Sequence, residues 1–401
     1  MSRRAFLKTV VGGAAGLGLG QVQFALGQAN AVQPVPKLLW VMLRGGMDAD
    51  SLLFQPDNTY YHDVRPTLSL GRNGLSDEAQ RIDANWAVHP ALEPLYPWLQ
   101  RKQLAFVPFC GTGDNSRSHF KAQEVLERGL NDGERLQTQD GLLNRVVKVL
   151  ARDFSGLGGA NFVQGSPLMC AGSQDIPFVE LRPQPTAKAQ RMDDYMQALE
   201  RMMQDPETRE RLKIMSARQS GAREALRGQM DMDAQHGATA RSQPAFVTQF
   251  EQMARLMRSG PAYAVGFAEI NGWDTHQNQG NENGQLAGKF SAMAQALAAF
   301  AQGMGPEWAR TQVVLMSEFG RTFAENGTRG TDHGHATTAI LMSGRGFSQT
   351  VLGEQQVWSP QNLHEQRDQP VLNPYRDVLL RQVFMPMGLS RGDALAALKP
   401  V

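Results

Sequence analysis

Acids, imidazoles and hydroxyls recur in this 401-residue chain as short clusters beside apolar runs. The densest cluster is residues 330–335, Gly-Thr-Asp-His-Gly-His, which carries Asp332, His333 and His335. Asp and neutral imidazole are ligands that a divalent zinc-like or manganese-like ion accepts. A polar turn capped by Asp332, with both imidazoles exposed, would produce the same pattern. The cluster alone therefore leaves a metal site and an ordinary turn as alternatives.

A second cluster, Ser116-Arg117-Ser118-His119, lies between an apolar run and an amphipathic stretch that predicts a helix. Free N–H groups and the helix dipole favour negative charge at such a position. Ser116 and Ser118 are therefore candidate nucleophiles, Arg117 is a candidate oxyanion clamp, and His119 is a candidate base or ligand. The alternative is that one of the serines merely caps the helix.

Further acids and imidazoles directly follow predicted strands, where ligands bind in open α/β sheets. They are Asp48 and Asp50 after 37–43, Asp274 and His276 after 262–270, and Glu318 after 311–316. Arg321, close to Glu318, is placed to pair with an anionic substrate or with Glu325. Repetition of this pattern predicts one shared site rather than a series of ordinary turns.

The elements that must position these residues are strands buried on both faces. Continuous apolar runs at 37–43, 104–109, 311–316 and 339–342 are typical of a parallel sheet covered by helices. Residues 187–258 are rich in Met, Arg and Gln at helical spacing and predict a helical insertion that caps or borders the sheet. We therefore expect an α/β domain over 36–390, with a helical insertion at about 187–258.

The N-terminal residues predict export. Arg3-Arg4, the Gly-rich apolar stretch 9–20 and small residues near 25–31 are typical of a twin-arginine signal peptide over 1–31. We expect a periplasmic protein that uses the twin-arginine machinery and has no membrane span after cleavage. The net charge of +1 argues against nucleic-acid binding. Cys110 and Cys170 either pair in the periplasm or are two small buried side chains.

The arrangement of these clusters resembles the alkaline phosphatase and sulfatase superfamily, and within it the exported domain-of-unknown-function family fifteen-oh-one. The motifs that carry the resemblance are 43–48, 116–120, 272–276, 317–322 and 332–335. The resemblance implies a mostly parallel sheet sandwiched by helices, with one or two divalent metals at the strand ends. It implies zinc, manganese or calcium, the identity staying open, and Ser118 or Ser116 as nucleophile. The ligands it implies are Asp48 with Asp50 in reserve, Asp274, His276, Glu318, and His333 or His335 with Asp332 beside them.

Two functions follow as expectations. The first is a periplasmic metal-dependent hydrolase of phosphate or sulfate esters, acting on a small anionic substrate through a Ser at a helix N-terminus. The second is a non-catalytic exported protein that keeps the fold and binds a periplasmic protein partner. Phe319 stands where the superfamily has an imidazole, and this departure, together with the Met-rich insertion, favours the second.

Overall fold

A computed structural model describes residues 34–76, 80–131, 133–134, 140–181 and 245–399. The central sheet is built from apolar runs of the kind seen in the sequence. Its seven strands are β1 Lys37–Arg44, β4 Leu104–Gly111, β5 Gly159–Asn161, β6 Val265–Asn271, β7 Thr311–Met316, β8 Thr337–Ser343 and β9 Asn373–Pro374. A separate two-stranded sheet pairs β2 Leu53–Phe54 with β3 Ala87–Val88.

The strand order of the large sheet is β5-β6-β1-β7-β8-β4-β9. Six strands run in one direction: β5, β6, β1, β7, β4 and β9. Only β8 of this sheet runs the other way, antiparallel to both of its neighbours, β7 and β4. The mostly parallel α/β architecture expected from the sequence is confirmed. The reversal of β8 has a consequence for chemistry, because it brings the amino end of β8 to the sheet edge where β1, β4, β6 and β7 end. We call the edge of the sheet where β1, β4, β6 and β7 end the carboxyl edge.

Helices cover both faces of the sheet. Alternate residues of β1 divide between two cores, Leu39, Val41 and Leu43 in one and Leu38, Trp40 and Met42 in the other. The α-helices are α1 Ala49–Leu52, α2 Thr59–Val64, α3 Tyr96–Gln100, α4 His119–Glu127, α5 Leu142–Leu150, α6 Ala245–Arg258, α7 Gln285–Gly303, α8 Tyr375–Val378 and α9 Arg391–Leu398. The first core includes α6 and α7, and the second includes α5 and α9. Because the side chains from Leu38 to Leu43 all pack against one of these two layers, this part of β1 is apolar throughout.

Two sequence predictions fall wholly or largely outside the described residues. The signal peptide at 1–31 lies outside them, as do residues 187–244 of the predicted insertion. The remaining part of that segment is α6, a 14-residue helix that packs along α7. Cys110 and Cys170 are buried and unpaired. Among the described residues, none of the helices is both long and apolar enough to cross a membrane.

Candidate metal centre

Three imidazoles and one carboxylate converge at the carboxyl edge. His119 Nε2 lies 3.0 Å from His333 Nε2, which lies 3.2 Å from His276 Nε2. Asp274 Oδ1 lies 2.8 Å from His276 Nε2 and 3.2 Å from His333 Nε2, and Asp274 Oδ2 lies 3.5 Å from His119 Nε2. The four residues come from the start of α4, the loop after β6 and the loop before β8. We call them the imidazole–Asp274 cluster.

The outer nitrogen of each imidazole faces an acceptor that carries no proton of its own. His119 Nδ1 donates to Glu318 Oε1 at 2.7 Å, His276 Nδ1 donates to Asp332 Oδ1 at 2.8 Å, and His333 Nδ1 donates to the Arg117 carbonyl at 2.9 Å. These bonds assign the proton to Nδ1 in each neutral ring, so each Nε2 presents a lone pair to the cluster. Lone pairs 3.0 Å apart repel each other unless a cation lies between them.

The donor set fits a transition-metal ion. A tetrahedral zinc site with bonds of about 2.0–2.1 Å places its ligand atoms about 3.3 Å apart, close to the separations seen here. His119, Asp274 and His333 each offer an atom within 4.8 Å of the other two, and His276 adjoins this group. Calcium requires six to eight oxygen ligands, which a set of three imidazoles and one carboxylate does not supply. Zinc and manganese therefore fit the cluster better than calcium.

Hydrogen bonds beside the cluster keep the carboxylate of Glu318, the partner of His119, ionised. Burial alone would raise the pKa of Glu318, but hydrogen bonds from His119, Gln123 and the Gly45 amide hold that pKa below its usual range. The hydrogen bond to Glu318 raises the pKa of His119. Burial lowers the pKa of His333. Glu318, which was predicted to be a ligand, therefore contacts the outer nitrogen of His119 instead of the converging atoms. It orients the His119 ring, as Asp332 orients the ring of His276.

Arg321 and Phe319 contact the residues of the cluster and hold them in place. Arg321 is buried, and its Nη1 donates to Asp274 Oδ1 at 2.6 Å, which offsets burial and lowers the pKa of Asp274. The Phe319 ring packs against the rings of His119 and His333, with centroids 4.8 and 5.1 Å away. Phe319, in the place of an expected imidazole, is therefore a packing surface for two imidazoles.

Asp48 lies away from the cluster, contrary to its predicted role as a metal ligand. Its side chain is completely buried, and its two oxygens accept from Arg65 at 2.7 and 3.0 Å. Asp50 Oδ2 lies 3.6 Å from the same guanidinium, and burial raises the pKa of Asp50 to about 7. A buried carboxylate needs a counter-charge, and Arg65 supplies it, so Asp48 is held inside the fold.

A chain of hydrogen bonds nevertheless links Asp48 to the cluster. Gln279 Nε2 donates to Asp48 Oδ2 at 2.6 Å, and Gln279 Oε1 accepts from Thr331 Oγ1 at 2.9 Å. Arg321 Nε donates to Thr331 Oγ1 at 3.2 Å and its Nη1 reaches Asp274. Asp48 is therefore connected to Asp274 through the side chains of Gln279, Thr331 and Arg321 and not by a direct contact.

The remaining predicted residues separate into different surroundings. His335 is buried, contacts the Asp114 carbonyl through Nδ1 at 3.2 Å, and stacks on His364, so it is His333 that reaches the cluster. Ser116 Oγ donates to Asp114 Oδ2 at 2.5 Å. Ser118 precedes α4, and its side chain makes no capping hydrogen bond.

Arg117, predicted as an oxyanion clamp, points away from the cluster. Its guanidinium pairs with Asp368 and Glu365, each with an N–O distance of 2.6 Å. The reason is that two carboxylates of the 364–368 loop already pair with the guanidinium, and these pairs would have to break before it could bind an anion at the cluster. Arg321, likewise a candidate for binding the substrate, is instead committed to Asp274 rather than to Glu325.

Two important residues carried no usable sequence signal. Arg65 lies in a stretch without clear periodicity, and Gln279 follows the predicted Asp274 and His276 in a polar loop. Their roles depend on partners 17 and 231 residues away. His119 was recognisable from its place beside Ser118, but whether it acts as base or ligand required the positions of His333 and Asp274.

The chain matches a protein-family model over most of its length. The family model described as "Protein of unknown function (DUF1501)" matches residues 36–398. No curated protein and no solved structure matches the chain.

Proposed function

The chain belongs to the DUF1501 family, and from the geometry of its carboxyl edge we propose that it is a metal-dependent hydrolase of phosphate or sulfate esters. The observation that carries the proposal is the convergence of three imidazole Nε2 atoms on the Asp274 carboxylate, with every Nδ1 already committed to an acceptor. A bound divalent ion would there neutralise developing charge and lower the pKa of a hydroxyl or water.

The residues that would hold the ion are His119, Asp274, His333 and His276. Glu318, Asp332 and the Arg117 carbonyl fix the ring orientations, and Arg321 fixes Asp274. Such partners of a ligand commonly change metal affinity by about 10–100-fold when they are removed. The arrangement is therefore built to keep four ligand atoms in place before the ion arrives.

Ser118 is our preferred nucleophile. It is adjacent to His119, it directly precedes the first residue of α4, and its hydroxyl is not used as a helix cap. The first amides of α4 add hydrogen-bond donors for a negatively charged ester. Ser116 is a weaker candidate because its hydroxyl already donates to Asp114. Since Arg117 and Arg321 are both paired elsewhere, the negative charge of the substrate would be met by the metal and these amides.

The fold supports placement in the alkaline phosphatase and sulfatase superfamily. The central sheet is mostly parallel, helices lie on both faces, and the candidate ligands are gathered where the strands end. We further propose that the protein is exported by the twin-arginine route, on the strength of the residues at 3–20. A substrate carrying a phosphate or sulfate group in the periplasm is consistent with that location.

A second candidate is a metal-bearing exported protein without catalysis, which binds a periplasmic protein. It is favoured by the commitment of Asp48 to Arg65. This pairing removes an acid that a second metal would require, and leaves one cluster of ligands rather than two among the residues that the structure describes.

The proposal is tested with the purified full chain loaded with zinc or manganese. We expect about one equivalent of metal per chain, given the one set of converging ligands in the described part of the chain, and loss of that metal in Asp274→Ala. Aryl phosphate, phosphodiester and aryl sulfate substrates would then be assayed with Ser118→Ala and, as the matched control, Ser116→Ala.

Turnover that requires metal and falls in Ser118→Ala but not in Ser116→Ala supports the hydrolase. Bound metal without turnover of any ester, together with a stoichiometric partner recovered from periplasmic extract, supports the second candidate. Absence of metal from the parent protein overturns both.

A further inference from the structure

We infer that Arg117 is a positioning residue for the imidazole–Asp274 cluster, through a buried anchor at Asp368 that also joins the 364–368 loop to the metal centre. This inference rests on the proposed metal centre but not on ester hydrolysis. Three features of the molecule support it: the backbone conformation of Arg117, the pairing of its guanidinium, and the attachment of the 364–368 loop.

The backbone of Arg117 is held in an unusual conformation. Its φ is +51°, in the left-handed region that non-glycine residues rarely adopt. This turn directs the Arg117 carbonyl to His333 Nδ1 at 2.9 Å and leads the chain into His119 two residues later. One residue therefore influences two of the three imidazoles, one through its carbonyl and one through the chain.

The guanidinium of Arg117 is anchored at a buried carboxylate. Nε and Nη2 both donate to Asp368 Oδ2, at 3.0 and 2.6 Å, and the Asp368 side chain has no exposed surface. The second partner, Glu365, has 56% of its side chain exposed. Water screens an exposed pair far more than a buried one, so Asp368 is the anchor and Glu365 contributes little.

The 364–368 loop is itself fastened to the site. The Asp368 backbone pairs with Thr322, the neighbour of Arg321, and the Phe323 amide donates to the Arg367 carbonyl at 3.0 Å. The loop is thereby fixed to the same segment that orients Asp274. Arg117 links Asp368 to His333 and so adds a second connection between the ligands Asp274 and His333, beside the direct backbone pairing of Arg321 with His333.

The test measures cobalt(II) binding, because cobalt reports both affinity and coordination geometry by visible absorption. The variants are Arg117→Gly, which permits the left-handed backbone and removes the guanidinium, and Asp368→Asn, which keeps the shape and removes the charge. Glu365→Gln is the matched control, since it alters the exposed partner of the same arginine.

We expect cobalt affinity about ten-fold lower, and a changed absorption spectrum, in Arg117→Gly and Asp368→Asn. Glu365→Gln should keep the affinity and spectrum of the parent. If Asp368→Asn fails to fold, Arg117→Gly decides the question alone. Parent-like affinity and spectrum in Arg117→Gly overturn the inference, even if its melting temperature falls. A parent that binds cobalt but hydrolyses no ester overturns only the proposed catalysis.

Discussion

Replacing Asp48 by Asn separates a structural role from a metal-binding one. Asp48 and Arg65 are both completely buried, with N–O contacts of 2.7 and 3.0 Å. Asn keeps the size of the side chain but leaves the guanidinium without its main counter-charge. Removing one partner of a buried pair typically costs about 3–5 kcal/mol of unfolding free energy.

Asp50 should reduce that cost. Its Oδ2 lies 3.6 Å from Arg65, and burial raises its pKa to about 7, with the Asp48 charge adding to the rise against the opposing charge of Arg65. When Asp48 is replaced by the neutral Asn, Asp50 can ionise beside Arg65 and supply part of the missing negative charge. We therefore expect a loss of about 3 kcal/mol, the lower end of the range for broken buried pairs.

The loss is measured by thermal melting with metal removed and by metal analysis of the folded protein. For a domain of this size the unfolding entropy is about 0.7 kcal/mol/K, so about 3 kcal/mol corresponds to a fall of about 4 °C. The pKa of Asp48 is held below its usual range, against burial, by Arg65 and by hydrogen bonds from Ser51 and Gln279. The stability that this lowered pKa contributes is fully present above about pH 4 and is lost as pH falls through the pKa of Asp48 in the folded protein. The difference in melting temperature between parent and variant should therefore become smaller in acid.

The matched control is Asp57→Asn, which breaks an exposed pair with Arg81 whose carboxylate is 75% exposed. It should change stability by about 1 kcal/mol or less. Asp48→Asn should retain the parent's metal content in every folded molecule. A variant that melts like the parent but has lost its metal would refute the structural assignment and restore Asp48 as a ligand.

Three other predictions follow from the contacts. His89 is buried, and burial lowers its pKa to about 4. Because the unfolded chain binds the proton more readily than the folded protein, the free energy of unfolding should fall by about 3 kcal/mol as the pH is lowered from about 6.5 to about 4. In urea titrations His89→Asn, which cannot titrate, should show a flatter pH dependence than the parent. Glu318→Gln should lower zinc affinity about 10–100-fold in chelator competition, because His119 loses its carboxylate partner; unchanged affinity would contradict that role. Phe319→Ala should cost about 3–5 kcal/mol in denaturant unfolding and also weaken metal binding, since the ring packs against His119 and His333; a loss of stability with full metal affinity would show that the ring supports only the core.

Local sequence patterns were enough to predict the five longer strands of the central sheet and the places where chemistry gathers, but not the short strands β5 and β9. The apolar runs at β1 and β7 had to be buried on both faces, because no alternation of polar residues leaves one face for water. Strand ends then predicted a common location for Asp274, His276 and Glu318. His333 was predicted in a loop before a strand, and only the antiparallel direction of β8 explains why that loop reaches the same edge.

The sequence by itself determined the residue types available for the site and the edge of the sheet where they would meet. The tertiary structure decided which of them converge. Asp48 and Asp274 look alike in sequence, each an acid after a buried strand, yet one is neutralised by Arg65 and the other faces three imidazoles. Local periodicity reports burial along a strand, whereas the choice between counter-charge and ligand depends on side chains from other parts of the chain that only the fold brings together.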